Sequence, residues 1–243
     1  MAERSALSPT GTEGPLVSVI VPAHNEADCV GTALRSAVEQ TLAPGALEVI
    51  VVDNGSTDGT GDVVREAGRT APVRIELVHD PYRGIARAKN LGARHARGRY
   101  LVFLDADSRL SPGLLAHVVE RARDGERSAS IRVVADSRDL LDRGFFGLME
   151  WGKRLFGIRA NMSWMERSLF ERLGGFDERL NQAEDLDLLV RARRAGVTVG
   201  HITRESIATS PRRLRQGPFR LGMLRMLGRW ALGNFGIGRR WPY

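Results

Sequence analysis

This 243-residue chain is poor in cysteine, in aromatics and in long apolar runs. Its one cysteine, Cys29, excludes an intrachain disulfide framework and a cysteine-ligated zinc cluster, and fits a reduced thiol. No apolar run approaches the ~20 residues that cross a bilayer as a helix. Residues 1–15 carry Glu3, Arg4 and Glu13 with no apolar stretch of signal-peptide type, and read as a flexible tail. These absences predict a cytoplasmic protein. At 6% aromatic, the chain is thinly supplied with the rings on which single-stranded nucleic acid stacks. Acidic residues are absent from Pro211 to Tyr243, where eight arginines stand. The whole chain is nonetheless only moderately basic, at +7, a charge that attracts phosphates, anionic lipid or nucleic acid without choosing among them.

The remaining composition, 42% hydrophobic and 27% charged, suits one large α/β domain with an appendage. Short apolar runs at 16–21, 47–52, 73–78 and 100–104 alternate with helical patterns at 30–40, 60–67 and 85–96. That alternation predicts right-handed crossovers and a mostly parallel, Rossmann-like twisted sheet flanked by helices. Further on, the pattern predicts helices over 114–123 and 186–195 and strands over 129–134 and 197–202, with a lid or helix pair over 140–156. The domain is expected over 16–210. Over 219–240 a helical wheel puts Leu221, Leu224, Leu227, Ala231 and Phe235 on one arc with Arg225 and Arg229 opposite. This makes 211–243 a basic amphipathic appendage suited to a membrane surface at the inner face of the cell membrane, a partner or the protein's own body.

The densest chemical signal is Leu101-Val102-Phe103-Leu104-Asp105-Ala106-Asp107. A strand buried on both faces ends in two carboxylates one residue apart. Like charges this close resist ionising together unless a cation sits with them, and a hard divalent ion takes oxygen ligands and leaves places for phosphate oxygens. The ends of parallel strands share one edge, so Pro22, Asp53 and Asp105 should line one cleft. Elsewhere each motif has two readings. Asn25 can cap a helix, while His24 beside it can meet a nucleoside base. Asp58 or Thr57 can cap the next helix, which leaves Asp53 at its strand end to accept a bond from a base. Residues 84–92 open a helix with small residues, and Arg87 and Lys89 cannot both face the cleft. Glu184 and Asp185 can complement a helix dipole or serve as a general base. Arg212 and Arg213 can clamp a diphosphate or lie on the surface.

Taken together and in this order, the motifs resemble those of family 2 glycosyltransferases of the GT-A fold. The resemblance rests on Val-Ser-Val-Ile-Val-Pro-Ala-His-Asn-Glu (17–26), Glu-Val-Ile-Val-Val-Asp-Asn-Gly-Ser-Thr-Asp-Gly-Thr (48–60), Asp105-Ala106-Asp107, Gly-Gly-Phe-Asp-Glu (174–178) and Glu184-Asp185. It implies an inverting hexosyltransferase that uses a nucleotide-diphosphate sugar with Mg²⁺ or Mn²⁺. Pro22, Ala23, His24 and Glu26 would line the nucleoside pocket, and Asp53 or Asn54 would meet the base. Lys89, where relatives usually carry arginine, would touch base or phosphate. Asp105 would meet the ribose or the metal, Ala106 would sit between the two acids, and Asp107 would bind the metal. Asn161 and Trp164 would shape the sugar and acceptor pocket, Asp185 would be the base, and Glu184 would stand beside it. The Gln-x-x-Arg-Trp motif of processive synthases is absent, which implies transfer of a single sugar to a sugar, lipid or small-molecule acceptor. Two alternatives stay open. A sugar nucleotidyltransferase would release pyrophosphate, but 23–27 holds Ala-His-Asn-Glu-Ala in place of a glycine-rich phosphate loop. A non-catalytic nucleic-acid binder has only the charge in its favour.

Overall fold

The structure is a computed structural model that describes residues 14–155, 163–180, 182–215, 222–223 and 228. Nearly all of the expected tail, Asn161, and the amphipathic stretch beyond Arg215 apart from 222–223 and 228 lie outside the described residues. Strands β1 (Val17–Ala23), β2 (Leu47–Asn54), β3 (Arg74–Asp80) and β4 (Tyr100–Phe103) alternate with helices α1 (Ala27–Val38), α2 (Thr60–Thr70) and α3 (Ile85–His95). The second half holds β5 (Ser108–Leu110), α4 (Leu114–Arg123), β6 (Ser128–Ala135), α5 (Leu140–Leu155), β7 (Trp164–Glu166), α6 (Arg167–Arg172), α7 (Glu184–Arg194) and β8 (Gly200–Thr209). They form one sheet in the order β3-β2-β1-β4-β7-β6-β8-β5. The first four strands are parallel, β7 runs antiparallel to both its neighbours, and β5 runs antiparallel to β8.

Both faces of the sheet are covered, which is why its central strands are apolar without alternating. Val17, Val19 and Val21 pack under α1 and α4 on one face, whereas Ile20, Leu101 and Phe103 pack under α3, α6 and α7 on the other. The approach of α3 is set by Gly92. A Cβ there would stand 2.5 Å from Ile20 Cγ2 and 3.2 Å from Val52 Cγ2. Only a bare α-carbon lets the helix lie that close, and α3 carries Lys89.

Three differences from the sequence pattern have physical causes. Strands β5 and β7 are three residues long, too short to show a period, and exist through pairing with β8, β4 and β6. The last strand runs over Gly200–Thr209 because it pairs with β6 on both sides of a bulge, in which residues 203–205 have no partner on β6. Exposed Thr203 and Arg204 mask this continuation from a reading of apolar runs. Residues 140–155 form one helix rather than a pair.

Candidate active site

The site sits at the carboxyl ends of β1, β2 and β4, where two loops are tied together by side chains. Asn25, at φ 53°, accepts a bond from the Thr57 N–H at 2.8 Å, while its own N–H donates to Ser56 Oγ at 3.0 Å. Asp58 accepts from the N–H of Ala27 and of Thr60, both at 3.0 Å, and so caps the starts of α1 and α2 together. This corrects the expectation that Asn25 caps α1. These bonds, Thr60 foremost, hold the Asp58 carboxyl below the usual range. His24 lies 2.8 Å through Nδ1 from the carbonyl of Asn54. A carbonyl only accepts, so Nδ1 carries the proton and a neutral His24 offers Nε2 as an acceptor.

Asp105, Ala106 and Asp107 follow β4 on the floor of a cavity of about 650 Å³. Asp105 opens into this cavity, and among the described residues no donor hydrogen-bonds its carboxylate. Its carboxyl is raised above the ordinary range by desolvation from the surrounding protein; Lys89 draws it down and Asp107 raises it further. The Asp107 side chain is 6% exposed and faces Arg212 Nη2 at 3.4 Å and Arg213 Nε at 3.9 Å. Arg212 also bonds the Glu26 carboxylate. Burial pushes Glu26 up, against the pull of Arg212. The arginines arrive because Ser210 N–H donates to the Asp107 carbonyl at 3.0 Å and Pro211–Arg213 make a 3-10 turn behind it.

In the same cavity, Lys89 Nζ donates to Glu184 Oε1 at 2.7 Å and to Asp185 Oδ1 at 2.9 Å, 5.1 Å above the ring of Phe176. The chain has two lysines against 34 arginines. A compact ammonium here reaches both carboxylates at once, where a planar guanidinium would fork toward one. Burial favours the neutral amine, yet Asp185 and Glu184 outweigh it and hold Lys89 protonated, well above its ordinary value. Desolvation, with Glu184 adding to it against Lys89, pushes the Asp185 carboxyl up to about 7. The neighbouring Asn90 accepts from the Phe176 N–H at 2.9 Å and donates to the Phe176 carbonyl at 2.9 Å, tying the Gly-Gly-Phe loop to α3. Gly175 makes that contact possible, with φ at +69° and room for no Cβ beside Asn90 Oδ1.

The cavity is lined by Pro22, Ala23, His24, Glu26, Asn54, Lys89, Asp105, Ala106, Asp107, Glu184, Asp185 and Arg213. Three expected residues stand elsewhere. Asp53 accepts from the Ser56 N–H at 3.0 Å and shapes the loop after β2. Arg212 lies behind Arg213, on Glu26 and Asp107. Trp164 is fully buried with its ring edge-on to Tyr100, 6.1 Å away. Its position on a central strand makes it core in place of the expected acceptor wall, and Ser163 lines the cavity instead. Lys89, expected to touch base or phosphate, lines the cavity and bridges the two acids at the start of α7. The reading of the sequence passed over Arg83, Thr209 and Phe146, which also line the cavity. Arg83 was findable as a cation just past the third parallel strand; Phe146 was not, since nothing local places α5 over the cleft.

A mostly parallel sheet whose strand ends carry an acidic doublet, in one cleft with a second acidic pair, fits the GT-A fold. The sequence carries the matching signature, for residues 18–174 match the family described as Glycosyl transferase family 2. The chain belongs to that family. It is similar to the glycosyltransferase AglE of Haloferax volcanii, with 42% identity over 94 residues, 38% of this chain and 31% of the relative. It is also similar to the probable glycosyltransferase YdaM of Bacillus subtilis, with 29% identity over 202 residues, 76% of this chain and 48% of the relative. The chain thus spans under half the length of these curated relatives. Among solved structures, the mannosyltransferase PcManGT of Pyrobaculum calidifontis, in complex with GDP-Man and Mn²⁺, superposes with a TM-score of 0.70 at 27% identity over 93% of this chain and 66% of that one. TarS of S. aureus, at 18% identity and a TM-score of 0.67 over 92% of this chain and 72% of that one, shares the fold. No helix among the described residues is long and apolar enough to cross a membrane.

Proposed function

We propose that this domain moves one sugar from a nucleotide-diphosphate sugar to an acceptor hydroxyl or phosphate, with inversion and in a single displacement. The observation that carries this reading is that two acidic pairs, Asp105 with Asp107 and Glu184 with Asp185, line one cavity. The donor's nucleoside would lie against Pro22, Ala23, His24 and Asn54, with its diphosphate toward Asp105 and Arg213.

Mg²⁺ or Mn²⁺ fits this site as an ion brought with the donor. The donor set is hard carboxylate oxygen, and Asp105 faces the cavity without a hydrogen-bond partner among the described residues. No cluster of three His, Cys, Asp or Glu able to cage an ion occurs among the described residues, so most ligands would be diphosphate oxygens and water. Asp105 and Asp107 would hold the ion, and its chemistry when bound is to offset charge building on the departing diphosphate. Arg213 adds positive charge beside Asp107. Asp185 takes the proton of the acceptor hydroxyl as that oxygen bonds the anomeric carbon. The bond from that carbon to the diphosphate breaks with its electron pair leaving on the nucleoside diphosphate. Lys89 opposes the rise of the Asp185 carboxyl and so favours the charged form the task needs.

PcManGT is described with GDP-Man and Mn²⁺, and that supports a nucleotide-sugar donor here without naming its base or sugar. The domain expected over 16–210 is proposed to take in residues 211–215 as well, at a cytoplasmic site of action. The test is Asp185→Asn. Removing a general base should lower turnover by about 10²–10⁴-fold while nucleotide binding with Mn²⁺, measured by calorimetry, persists. Turnover at the wild-type rate rules the assignment out.

A further inference from the structure

We propose that the outward face of α5 docks on an anionic membrane surface. The proposal does not depend on the reaction above. Four of the five large apolar side chains exposed among the described residues belong to this one helix: Leu140 at 79%, Leu141 at 64%, Leu148 at 55% and Trp151 at 60%. At 3.6 residues per turn they fall within an arc of about 100°. Gly144 lies in that arc and Gly147 at its edge, and nothing stands within 4 Å of where their Cβ atoms would be. The face is therefore open and flat between its leucines.

Charge is sorted across the same helix. Its two acids point inward: Asp142 is fully buried, bonded to Arg215 at 2.6 Å, and Glu150 is 8% exposed. Among the described side chains of the helix the outward charge is Arg143, joined by exposed Arg138 just before it, while half-buried Asp139 accepts from the Leu141 N–H at 2.8 Å. A surface helix facing only water would carry its polar residues where these leucines stand. Leucine and tryptophan flanked by arginine, with no exposed acid on the helix, match the pattern of a helix that lies in the headgroup plane. Tryptophan favours that interface, and basic side chains are drawn to anionic headgroups. The chain's +7 charge adds long-range attraction of the same sign. An acidic protein partner could satisfy the arginines but gives no reason for an unbroken apolar arc. On the inner side of α5, Phe146 lines the cavity, so docking would set the mouth of the site beside the bilayer.

The full chain can be sedimented with phosphatidylcholine vesicles, with and without phosphatidylglycerol. Wild type should pellet with the anionic vesicles and stay in solution with neutral ones. The double variant Leu148→Glu/Trp151→Glu should lower the bound fraction by about ten-fold or more, since it puts charge on the inserting face. Arg138→Glu/Arg143→Glu should do the same at positions whose exposure spares the fold, and its thermal melting should match wild type. Wild type left in solution, equal binding to neutral vesicles, or both variants pelleting like wild type would overturn the proposal. The last result would move the contact elsewhere, residues 216–243 included. So would light scattering that shows a wild-type dimer which the Leu148→Glu/Trp151→Glu variant splits, which would make the face a contact between two copies.

Discussion

At the scale of single residues the site turns on one cation held by two acids. Lys89 is buried, and its ammonium contacts Glu184 and Asp185 at 2.7 and 2.9 Å. Replacing it with methionine leaves two buried carboxylates facing each other, a change that typically costs about 3–5 kcal/mol in stability. It also moves a titration. Asp185 stands at about 7 with the lysine lowering it, and as the proposed base it would work deprotonated. Wild-type turnover should therefore rise with pH through about 7. In Lys89→Met the lowering influence is gone, and the acid limb should shift to higher pH. A pH–rate profile for both proteins tests this, and an unmoved limb would disconnect Lys89 from the base. The sign for stability runs the other way. The folded state holds the Asp185 proton more tightly than the unfolded chain, whose ordinary value is 3.8. The contribution of this group is thus full below 3.8 and is lost as pH rises toward 7.

At the scale of elements, placement depends on how closely α3 can lie on the sheet. Gly92→Val puts a Cβ 2.5 Å from Ile20 and must lift the helix. Overpacking of this kind costs about 1–3 kcal/mol, read as a lower urea midpoint at constant slope, and turnover should fall with it because Lys89 rides on α3. A midpoint within error of wild type would show that the helix has slack. The same elements mark how much was readable from sequence alone. The four parallel strands and their helices were legible, since double burial writes itself as unbroken apolar runs. Asp105, Asp107, Glu184 and Asp185 were legible as acids at element ends. What pairs with them was not, for Lys89 meets Glu184 across 95 positions of sequence and Arg212 meets Glu26 across 186. Trp164 fell on the wrong side of its strand because three residues leave no period from which to choose a face.

At the scale of the molecule, residues 211–215 reach back to the start of α1, to the loop after β4 and to α5. An appendage starting at residue 211 would be separable from the site, but the contacts cross that boundary. Pro211 is buried and Leu214 is 1% exposed. Arg212 pairs with Glu26 from the start of α1 and stands 3.4 Å from Asp107. Arg215 bonds Asp142 on α5 at 2.6 Å. A chain stopped after Ser210 would leave Glu26 and Asp107, both largely buried, facing each other without a counter-charge. A chain stopped after Arg215 would keep every one of these pairs. The two truncations should therefore differ sharply. The shorter should lose on the order of 3–5 kcal/mol and its affinity for a nucleoside diphosphate with Mn²⁺. The longer should melt near the full chain and bind the nucleotide as well. Circular-dichroism melts and titration calorimetry on the pair decide it. If the 210-residue chain folds and binds normally, the arginine turn lies outside the donor site, and Asp105 and Asp107 meet the diphosphate without it.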